Sequence, residues 1–247
     1  MASRVVMVHG AGGGGWEWAI WRRVFETHGW QVSAPDLLPA SRGLAATQIE
    51  DYTQQVVAWT RASTEPATSI PSAPATTACV LIGASLGGLL AMLVAARAQP
   101  AALVLINPMS PAAVGATVIE PHAAPRDYPE IVTWGSQRSF ASTARALPDA
   151  DAAARLFALR RWRDESGAVL RAAASGMRVD LPRCPMLVLA SESDDDVPPR
   201  TSLALAQACA AEFRQLPGAS HVGPLLGRDA GRIAEQALHW CTQTRRA

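Results

Sequence analysis

The chain alternates short aliphatic runs with longer segments of helical periodicity, and this alternation limits the folds open to it more than any other feature. Several of the short runs are apolar throughout, as expected for parallel strands that helices cover on both faces. Strands and helices in alternation form right-handed crossover units, so the sequence predicts an α/β fold with a mostly parallel, doubly wound sheet of about six strands. The predicted strands are 4–8, 31–34, 79–82, 103–106, 186–190 and 213–216, and the predicted helices are 16–27, 47–61, 86–98, 201–211 and 231–244.

Two segments interrupt this alternation. Residues 62–77, "ASTEPATSIPSAPATT", are rich in Pro, Ala, Ser and Thr, which is typical of a surface loop. Residues 110–180 begin with a proline-rich stretch and continue into Ala- and Arg-rich helical patterns between two core strands. We therefore predict a single domain over residues 1–247, with a small helical lid insertion and one core helix within residues 110–180, called the lid segment below.

Composition narrows the expected partners and compartment. A net charge of +1 over 247 residues gives no electrostatic basis for binding nucleic acid or an anionic membrane. The four cysteines, Cys79, Cys184, Cys209 and Cys241, form no C-x-x-C pair, so we expect reduced thiols and no metal site. Because neither a secretory signal nor a bilayer-spanning apolar stretch is evident, we expect a cytoplasmic monomer or homodimer without membrane insertion.

One motif carries most of the chemical information. Residues 79–91 read "CVLIGASLGGLLA", in which Gly-Ala-Ser-Leu-Gly at 83–87 satisfies G-x-S-x-G between a predicted strand and a predicted helix. In that context the motif predicts a nucleophile elbow, a strained turn that exposes the hydroxyl of Ser85 at the carboxyl edge of the sheet. The alternative is an ordinary turn, because Gly and Ser are common loop residues.

A serine nucleophile needs a base, and the base needs a carboxylate that orients it. The elbow predicts the chain order Ser, acid, His, with the acid and the His each following a later strand. His221 follows the last predicted strand, in "PGASHVGP", and the acid is expected in "SESDDDVPP" after the preceding strand. Counting back from the Val-Pro pair at 197–198 favours Asp194 as the acid, with Asp196 as the alternative.

The opening "VVMVHGAGGGGWEW", residues 5–18, allows a competing interpretation. Its residues 10–15 satisfy G-x-G-x-x-G, the fingerprint of a dinucleotide-binding turn, and Asp36 stands about where a ribose-binding carboxylate is sought. A nicotinamide-dependent reductase would leave Ser85 and His221 unexplained. We therefore expect no cofactor, and we hypothesise that the run of glycines leaves room for a substrate.

The chain resembles the α/β-hydrolase superfamily over nearly its full length, and its N-terminal part is similar to the plant methylesterase and hydroxynitrile lyase family. That similarity is carried by "HGA" at 9–11, "WEW" at 16–18, "HGWQVSAPDLLPASRG" after the first helix and "DYT" at 51–53. The late blocks "LVLASESDDDVPP" and "LPGASHVGPLL" match the superfamily more broadly. The hydroxynitrile lyases carry Thr and Lys where this chain has Gly10 and Val222, so the resemblance implies hydrolysis rather than cyanohydrin cleavage.

These features predict a cofactor-independent, carboxylesterase-like serine hydrolase that cleaves a small or medium apolar ester through an acyl-enzyme. The backbone N–H groups of Ala11 and Leu86 are expected to form the oxyanion hole. Gly12, Trp16 and Trp134 are expected at the substrate, although core packing is the ordinary role of buried tryptophans.

Other activities stay open at the level of sequence. Thioester hydrolysis, C–C bond hydrolysis, lyase chemistry and acyl transfer would use the same triad, and a non-catalytic ligand-binding protein could share the fold. Arg160, Arg161 and Arg163 form a basic cluster in the lid segment, which is either a solvated helix face or a means of attracting a carboxylate-bearing substrate.

Overall fold

A computed structural model describes residues 3–61, 79–119 and 127–244. The predicted surface loop at 62–77 lies outside these described residues. None of the helices in the described ranges combines the length and the apolar character needed to cross a bilayer.

Strands and helices alternate along the described chain. The strands are β1 (Arg4–Val8), β2 (Gln31–Ser33), β3 (Val80–Ala84), β4 (Ala102–Ile106), β5 (Ala113–Val114), β6 (Thr117–Val118), β7 (Ile131–Val132), β8 (Glu165–Ser166), β9 (Arg178–Val179), β10 (Met186–Ser191) and β11 (Glu212–Leu216). The helices are α1 (Ala19–Thr27), α2 (Ile49–Arg61), α3 (Leu86–Ala98), α4 (Phe140–Ala146), α5 (Ala152–Leu159), α6 (Gly167–Ala174), α7 (Pro199–Ala208), α8 (Gly223–Leu226) and α9 (Ala230–Thr244).

Six parallel strands form the central sheet, in the order β11-β10-β4-β3-β1-β2. This confirms the predicted doubly wound α/β fold. The chain starts at β1, adds β2 on one side, and then returns to build β3, β4, β10 and β11 on the other side. Such a reversal opens a crevice at the carboxyl ends of β1 and β3, which is where open α/β sheets bind their ligands.

Alternate residues of β1 pack on opposite faces of the sheet. Val5 and Met7 join the apolar cluster that includes α1 and α9, whereas Val6 and Val8 join the cluster that includes α2, α3 and α7. All four side chains are fully buried. Because helices cover both faces, the strand is apolar throughout rather than alternating, and this is the pattern from which it was predicted.

The lid segment differs from the prediction in detail. Its described part contains the helices α4, α5 and α6, but also short strands in two small sheets, β6-β5-β9 and β7-β8. Only the helical character was predicted, because strands of two residues carry no readable periodicity. Helix α6 packs on α2, and its residues Val169 and Ala173 are part of the core.

Several helix boundaries also differ from the prediction, among them the starts of α1 and α7. The predicted helix 16–27 is divided into a 3-10 turn, Gly15–Trp18, and α1, which begins at Ala19. Helix α7 begins at Pro199 rather than at 201. Proline is favoured in the first helical turn because its missing N–H needs no partner there.

Candidate active site

Four loops meet at the carboxyl edge of the central sheet. Ala11 follows β1, Ser85 follows β3, Asp194 follows β10 and His221 follows β11. Parallel strands all end at the same edge, so residues that are far apart in the sequence become neighbours there.

Ser85 occupies a strained turn between β3 and α3. Its φ of 53° and ψ of −120° are rare for a residue with a side chain. The turn is also crowded: a Cβ on Gly83 would lie 2.3 Å from the carbonyl oxygen of Gly87, and one on Gly87 would lie 2.2 Å from that of Val8. Glycine at these two positions therefore allows α3 to begin directly after the serine and to pack closely on β1 and β3.

A chain of hydrogen bonds connects Ser85 to Asp194. His221 Nε2 lies 2.9 Å from Ser85 Oγ, and His221 Nδ1 lies 2.7 Å from Asp194 Oδ2. The second carboxylate oxygen, Oδ1, accepts the backbone N–H groups of Asp196 and Val197. Asp194 is only 5% exposed, so these bonds satisfy a buried carboxylate and fix its direction. A neutral imidazole that donates from Nδ1 to Asp194 has Nε2 free to accept the serine proton.

The environment of His221 changes its basicity. Burial alone would lower the pKa of the imidazole, because it disfavours the charged form. The hydrogen bond to Asp194 and the negative charge of that carboxylate act in the opposite direction, and the carboxylate of Asp196 adds to their effect. The net result is a pKa of His221 above its ordinary value of 6.5.

The acidic residues after β10 have different surroundings. Asp194 is the one hydrogen-bonded to His221. Glu192 accepts the backbone N–H of Gly218 at 2.9 Å and so ties the two loops together. Asp196, the alternative triad acid, is exposed and lies beside His221 at the cavity described below. The geometry therefore favours Asp194 as the partner of the imidazole.

The loop that carries His221 is held by two residues that sequence reasoning missed. Asn107, directly after β4, donates from Nδ2 to the carbonyl oxygen of His221 at 2.7 Å, and its Oδ1 accepts the N–H of Ser191. Asp149, from the lid segment, accepts both the N–H and the hydroxyl of Ser220, at 2.9 and 2.6 Å. The only available signal for Asn107 was its position at the end of a strand, and Asp149 had none.

The two predicted oxyanion donors lie on either side of Ser85. Leu86 is the first residue of α3, so its N–H has no acceptor within the helix. Ala11 lines the cavity, and the loop that carries it runs close to the serine: a Cβ on Gly10 would lie 3.2 Å from Ser85 Cβ. Both residues are therefore adjacent to the place where a tetrahedral intermediate on Ser85 would form.

Two buried titratable side chains, His9 and Glu17, are hydrogen-bonded to the loop after β1. His9 Nε2 accepts the N–H of Leu37, and Nδ1 donates to the carbonyl oxygen of Gly10, both at 2.8 Å. Burial lowers the pKa of His9 to about 4. Burial raises the pKa of Glu17 to about 8, and Glu17 Oε2 accepts the N–H of Gly10 at 3.3 Å. Both side chains are therefore largely uncharged at neutral pH, and both hold the peptide groups of Gly10.

The glycine run is required by the protein's own packing. A Cβ on Gly13 would lie 2.3 Å from Glu17 Oε1, and one on Gly15 would lie 2.0 Å from the carbonyl oxygen of Ala34. The hypothesis that these glycines leave room for a substrate is therefore wrong, because protein atoms fill the space.

The same loop is unsuited to a pyrophosphate. The N–H of Gly12 donates to Glu165 at 3.1 Å and the N–H of Gly15 donates to Asp36 at 2.7 Å. Amides that would cradle phosphate oxygens in a dinucleotide-binding turn thus already have carboxylate partners. Asp36 is itself engaged with Gly15 instead of being free for a ribose.

A cavity of about 370 Å³ lies beside Ser85 and His221. Its wall is largely apolar and comes from both the sheet loops and the lid segment, and Trp134, one of the predicted substrate-binding residues, is part of it. Tyr128, Ser142 and Thr143 add a few polar groups. The main apolar lining residues are Met109, Trp134, Trp162, Leu170, Val197 and Val222.

Gly12 and Trp16, the other two residues predicted to contact the substrate, are not among the residues that line this cavity. Gly12 is covered by Trp134, whose Cε3 would lie 2.7 Å from a Cβ at that position. Trp16 packs behind the wall, edge-on to Trp162 and Phe157, with ring centroids 5.2 and 5.8 Å apart. Its role is to support the lid segment, as core packing predicts for a tryptophan.

None of the three arginines of the predicted basic cluster lines the cavity. The guanidinium of Arg161 lies 3.8 Å from the centre of the Phe157 ring. Arg163 binds Asp36 at 3.2 Å and the carbonyl oxygen of Leu37 at 2.6 Å. The hypothesis that this cluster attracts a carboxylate-bearing substrate into the site therefore has no structural basis.

One group among the described residues approaches a metal-ligand set. Asp194, Asp196 and His221 each offer a ligand atom, and these atoms lie within 4.8 Å of one another. Asp194 and the imidazole are already hydrogen-bonded to each other, and Ser85 occupies the second ring nitrogen. The arrangement therefore suits proton transfer better than metal binding.

Several solved structures share this architecture. Tomato methylketone synthase I, complexed with 2-tridecanone, has a TM-score of 0.73 and 16% identity over 99% of this chain and 99% of that chain. A methylesterase from Arabidopsis has a TM-score of 0.70 and 12% identity, over 97% and 100% of the two chains. Polyneuridine aldehyde esterase has a TM-score of 0.68 and 18% identity, over 96% and 99%. At these identities the likeness shows the fold alone.

Sequence comparison defines the family. No curated protein sequence matches the chain significantly. A family model described as "Alpha/beta hydrolase family" matches residues 5–236, which span Ser85, Asp194 and His221. Because this match covers nearly the whole chain, the protein belongs to the alpha/beta hydrolase family.

Proposed function

We propose that the protein is a cofactor-independent, carboxylesterase-like serine hydrolase that cleaves small or medium apolar esters. The single observation that carries the proposal is the hydrogen-bonded chain from Ser85 through His221 to the buried Asp194, at the edge of an apolar cavity. Two of the solved relatives are named as esterases, which supports an ester as the bond that is cleaved.

The first half-reaction acylates Ser85. His221 Nε2 removes the hydroxyl proton while Ser85 Oγ attacks the carbonyl carbon, and the N–H groups of Ala11 and Leu86 stabilise the resulting oxyanion. Asp194 stabilises the imidazolium that forms. His221 then transfers the proton to the leaving alcohol as the C–O bond breaks, and the acyl-enzyme remains.

The second half-reaction regenerates the enzyme. Water replaces the alcohol, gives its proton to His221 Nε2 and attacks the acyl carbonyl through the same oxyanion-stabilised intermediate. Collapse of this intermediate releases the carboxylic acid and returns the proton to Ser85. No cofactor or metal takes part in either half-reaction.

The size and charge of the cavity support the proposed substrate class. A volume of about 370 Å³ is at the small end of ligand pockets, and its walls suit an apolar acyl or alkyl group. Among the described residues, Asp196 is the acidic residue that lines the cavity, and no arginine is part of that lining. Electrostatics there oppose a carboxylate on the substrate, so we propose neutral esters. The lid segment supplies Trp134, Trp162 and Leu170, which gives it the role of a substrate-binding lid in this proposal.

Hydrolysis is favoured over lyase chemistry. Val222, which stands where the resemblance to hydroxynitrile lyases would require a lysine, lines the cavity directly beside His221. An apolar side chain there supplies no positive charge to stabilise a departing anion.

The proposal is tested by the hydrolysis of p-nitrophenyl acetate and butyrate. We expect Ser85→Ala and His221→Ala to lose at least roughly 10³-fold in kcat, because neither variant can form the acyl-enzyme efficiently. Ser175→Ala, which changes an exposed serine at the end of α6, is the matched control and should keep full activity. An inactive wild type, or an active Ser85→Ala, would refute the proposal.

A further inference from the structure

The lid segment is hydrogen-bonded to the loop after β1, which carries Ala11 and is called the oxyanion loop below. Both the N–H and the carbonyl oxygen of Gly12 take part in these bonds. The N–H of Gly12 donates to Glu165 Oε2 at 3.1 Å, and its carbonyl oxygen accepts the N–H of Arg163 at 2.8 Å. Gly12 has a φ of +67°, so its peptide groups point in directions that a residue with a side chain rarely adopts. These two bonds join the loop after β1 to a segment more than 150 residues away.

Glu165 is built into this position. Its side chain is buried, with 2% of the residue exposed, and Oε1 accepts the hydroxyl of Tyr52 and the N–H of Ser166, both at 2.8 Å. Burial and the neighbouring carboxylate raise the pKa of Tyr52 above its ordinary value, so the phenol remains a donor. Three donors thus fix both oxygens of the carboxylate, and its orientation is fully determined.

The hydrogen bonds of this loop also show which of its backbone N–H groups has no acceptor in the protein. The N–H of Gly10 donates to Glu17, and the N–H of Gly13 donates to the carbonyl oxygen of Gly10. Between them, the N–H of Ala11 has no acceptor among the described residues, and Ala11 lines the cavity. The neighbouring amides are therefore satisfied internally, and the Ala11 amide is the one that remains for a ligand.

We propose that Glu165 is a positioning residue that fixes the peptide of Gly12 and thereby aims the N–H of Ala11 at the oxyanion. The inference rests on the proposed hydrolase function. It also gives the lid segment a second role besides covering the substrate. Because Glu165 lies in β8, the oxyanion hole is complete only while β8 contacts the loop after β1. The Tyr52 hydroxyl supports the same carboxylate from α2.

A glutamine in place of Glu165 could not make all three of the hydrogen bonds that the carboxylate makes. A glutamine at 165 has one acceptor oxygen. If that oxygen accepts from Tyr52 and Ser166, the amide NH₂ faces the N–H of Gly12, donor against donor. The Gly12 peptide must then shift, and a misplacement of about 1 Å near reacting atoms typically costs on the order of 100-fold in rate.

The test compares Glu165→Gln with Asp164→Asn. Asp164 is the adjacent lid residue, and its carboxylate binds the N–H groups of Gly135 and Ser136 rather than the oxyanion loop. For Glu165→Gln we expect kcat on p-nitrophenyl butyrate to fall roughly 10- to 100-fold with KM within about twofold of wild type. The inhibition constant of butylboronic acid, which forms a tetrahedral adduct, should rise by a similar factor. Asp164→Asn should change neither quantity.

Other outcomes separate this inference from the proposed function. If wild type shows Ser85-dependent esterase activity and Glu165→Gln behaves like Asp164→Asn, the positioning role is refuted and the hydrolase proposal stands. If wild type has no such activity, both fail. A purely structural role of Glu165 predicts a lower Tm with unchanged kcat and boronate affinity in the folded fraction, and that result would also refute the inference.

Tyr52→Phe removes one donor to Glu165 and keeps the carboxylate. It should give a smaller loss in kcat, about 3- to 10-fold.

Discussion

The imidazole of His221 lies between a buried carboxylate and a serine hydroxyl, and each neighbour constrains one of its nitrogens. Burial lowers the pKa of the ring, while the hydrogen bond to Asp194 and the charges of Asp194 and Asp196 raise it by more. Only the neutral ring can accept the proton of Ser85. In the proposed mechanism, the rate of acylation therefore depends on pH through the protonation of this ring.

We predict that kcat/KM falls on the acidic side with a midpoint above pH 6.5, because the raised pKa of His221 keeps the ring protonated below that midpoint. Asp194→Asn should move the midpoint to lower pH, since it removes the carboxylate that favours the charged ring, and should reduce kcat by about 10⁴-fold through loss of the productive tautomer. Asp196→Asn should lower the midpoint less and leave most of kcat. A pH–rate profile of the three proteins measures both effects, and a larger loss for Asp196→Asn would contradict the assignment of the acid.

Asp196 has a second expected effect, on substrate charge. p-Nitrophenyl hemisuccinate and p-nitrophenyl butyrate have similar acyl lengths, but only the first carries a carboxylate. We predict that Asp196→Asn raises the ratio of kcat/KM for the charged over the neutral ester by about 5-fold, the effect of removing a like charge worth about 1 kcal/mol at a solvated site. An unchanged ratio would show that Asp196 does not select against anionic substrates.

At the scale of elements, the loop after β1 shows how packing determines sequence. Protein atoms occupy the space beside its glycines. Gly13 allows the chain to pass close to the Glu17 side chain, and Gly15 allows it to pass close to the backbone of Ala34. The close approach at Gly15 keeps the 3-10 turn in contact with the end of β2. The loop that carries Ala11 is therefore closely packed against its neighbours.

Gly15→Ala tests this view against Gly231→Ala. A Cβ on Gly15 would lie 2.0 Å from the carbonyl oxygen of Ala34, which is backbone and cannot rotate away, so we expect a loss of about 2 kcal/mol or more in the free energy of unfolding. At Gly231, in the first turn of α9, the nearest atom would be 3.9 Å away, and alanine should stabilise by about 0.5 kcal/mol. Urea denaturation measures both values. Equal stabilities of the two variants would contradict the packing account.

At the scale of the whole molecule, most of the fold could be predicted from sequence because helices cover both faces of the central sheet. The central strands lie within two residues of their predicted bounds, and α3 matches 86–98, because apolar runs and helical periodicity persist over their full length. The strands β7 and β8 were not predictable, since each has two residues and depends on a partner more than 30 residues away.

The site was predictable only where topology determines it. The G-x-S-x-G motif indicated Ser85, chain order and strand ends indicated Asp194 and His221, and the structure brings these three together. Asn107, Asp149 and Glu165 are single polar residues without a local pattern, and they act through contacts that exist only in the folded chain. Trp16 shows the limit of such predictions: it packs on Trp162 and Phe157 rather than lining the cavity, and sequence does not distinguish an aromatic residue that supports a wall from one that forms it.

Covalent labelling by a fluorophosphonate tests the central claim most directly, because an activated serine displaces fluoride and retains the phosphonyl group. Peptide mapping by mass spectrometry should find one label per chain, on the peptide that contains Ser85, with labelling strongly slowed in His221→Ala. The account would be contradicted by an unlabelled wild-type protein, by a label on another residue, or by equal labelling rates in wild type and His221→Ala.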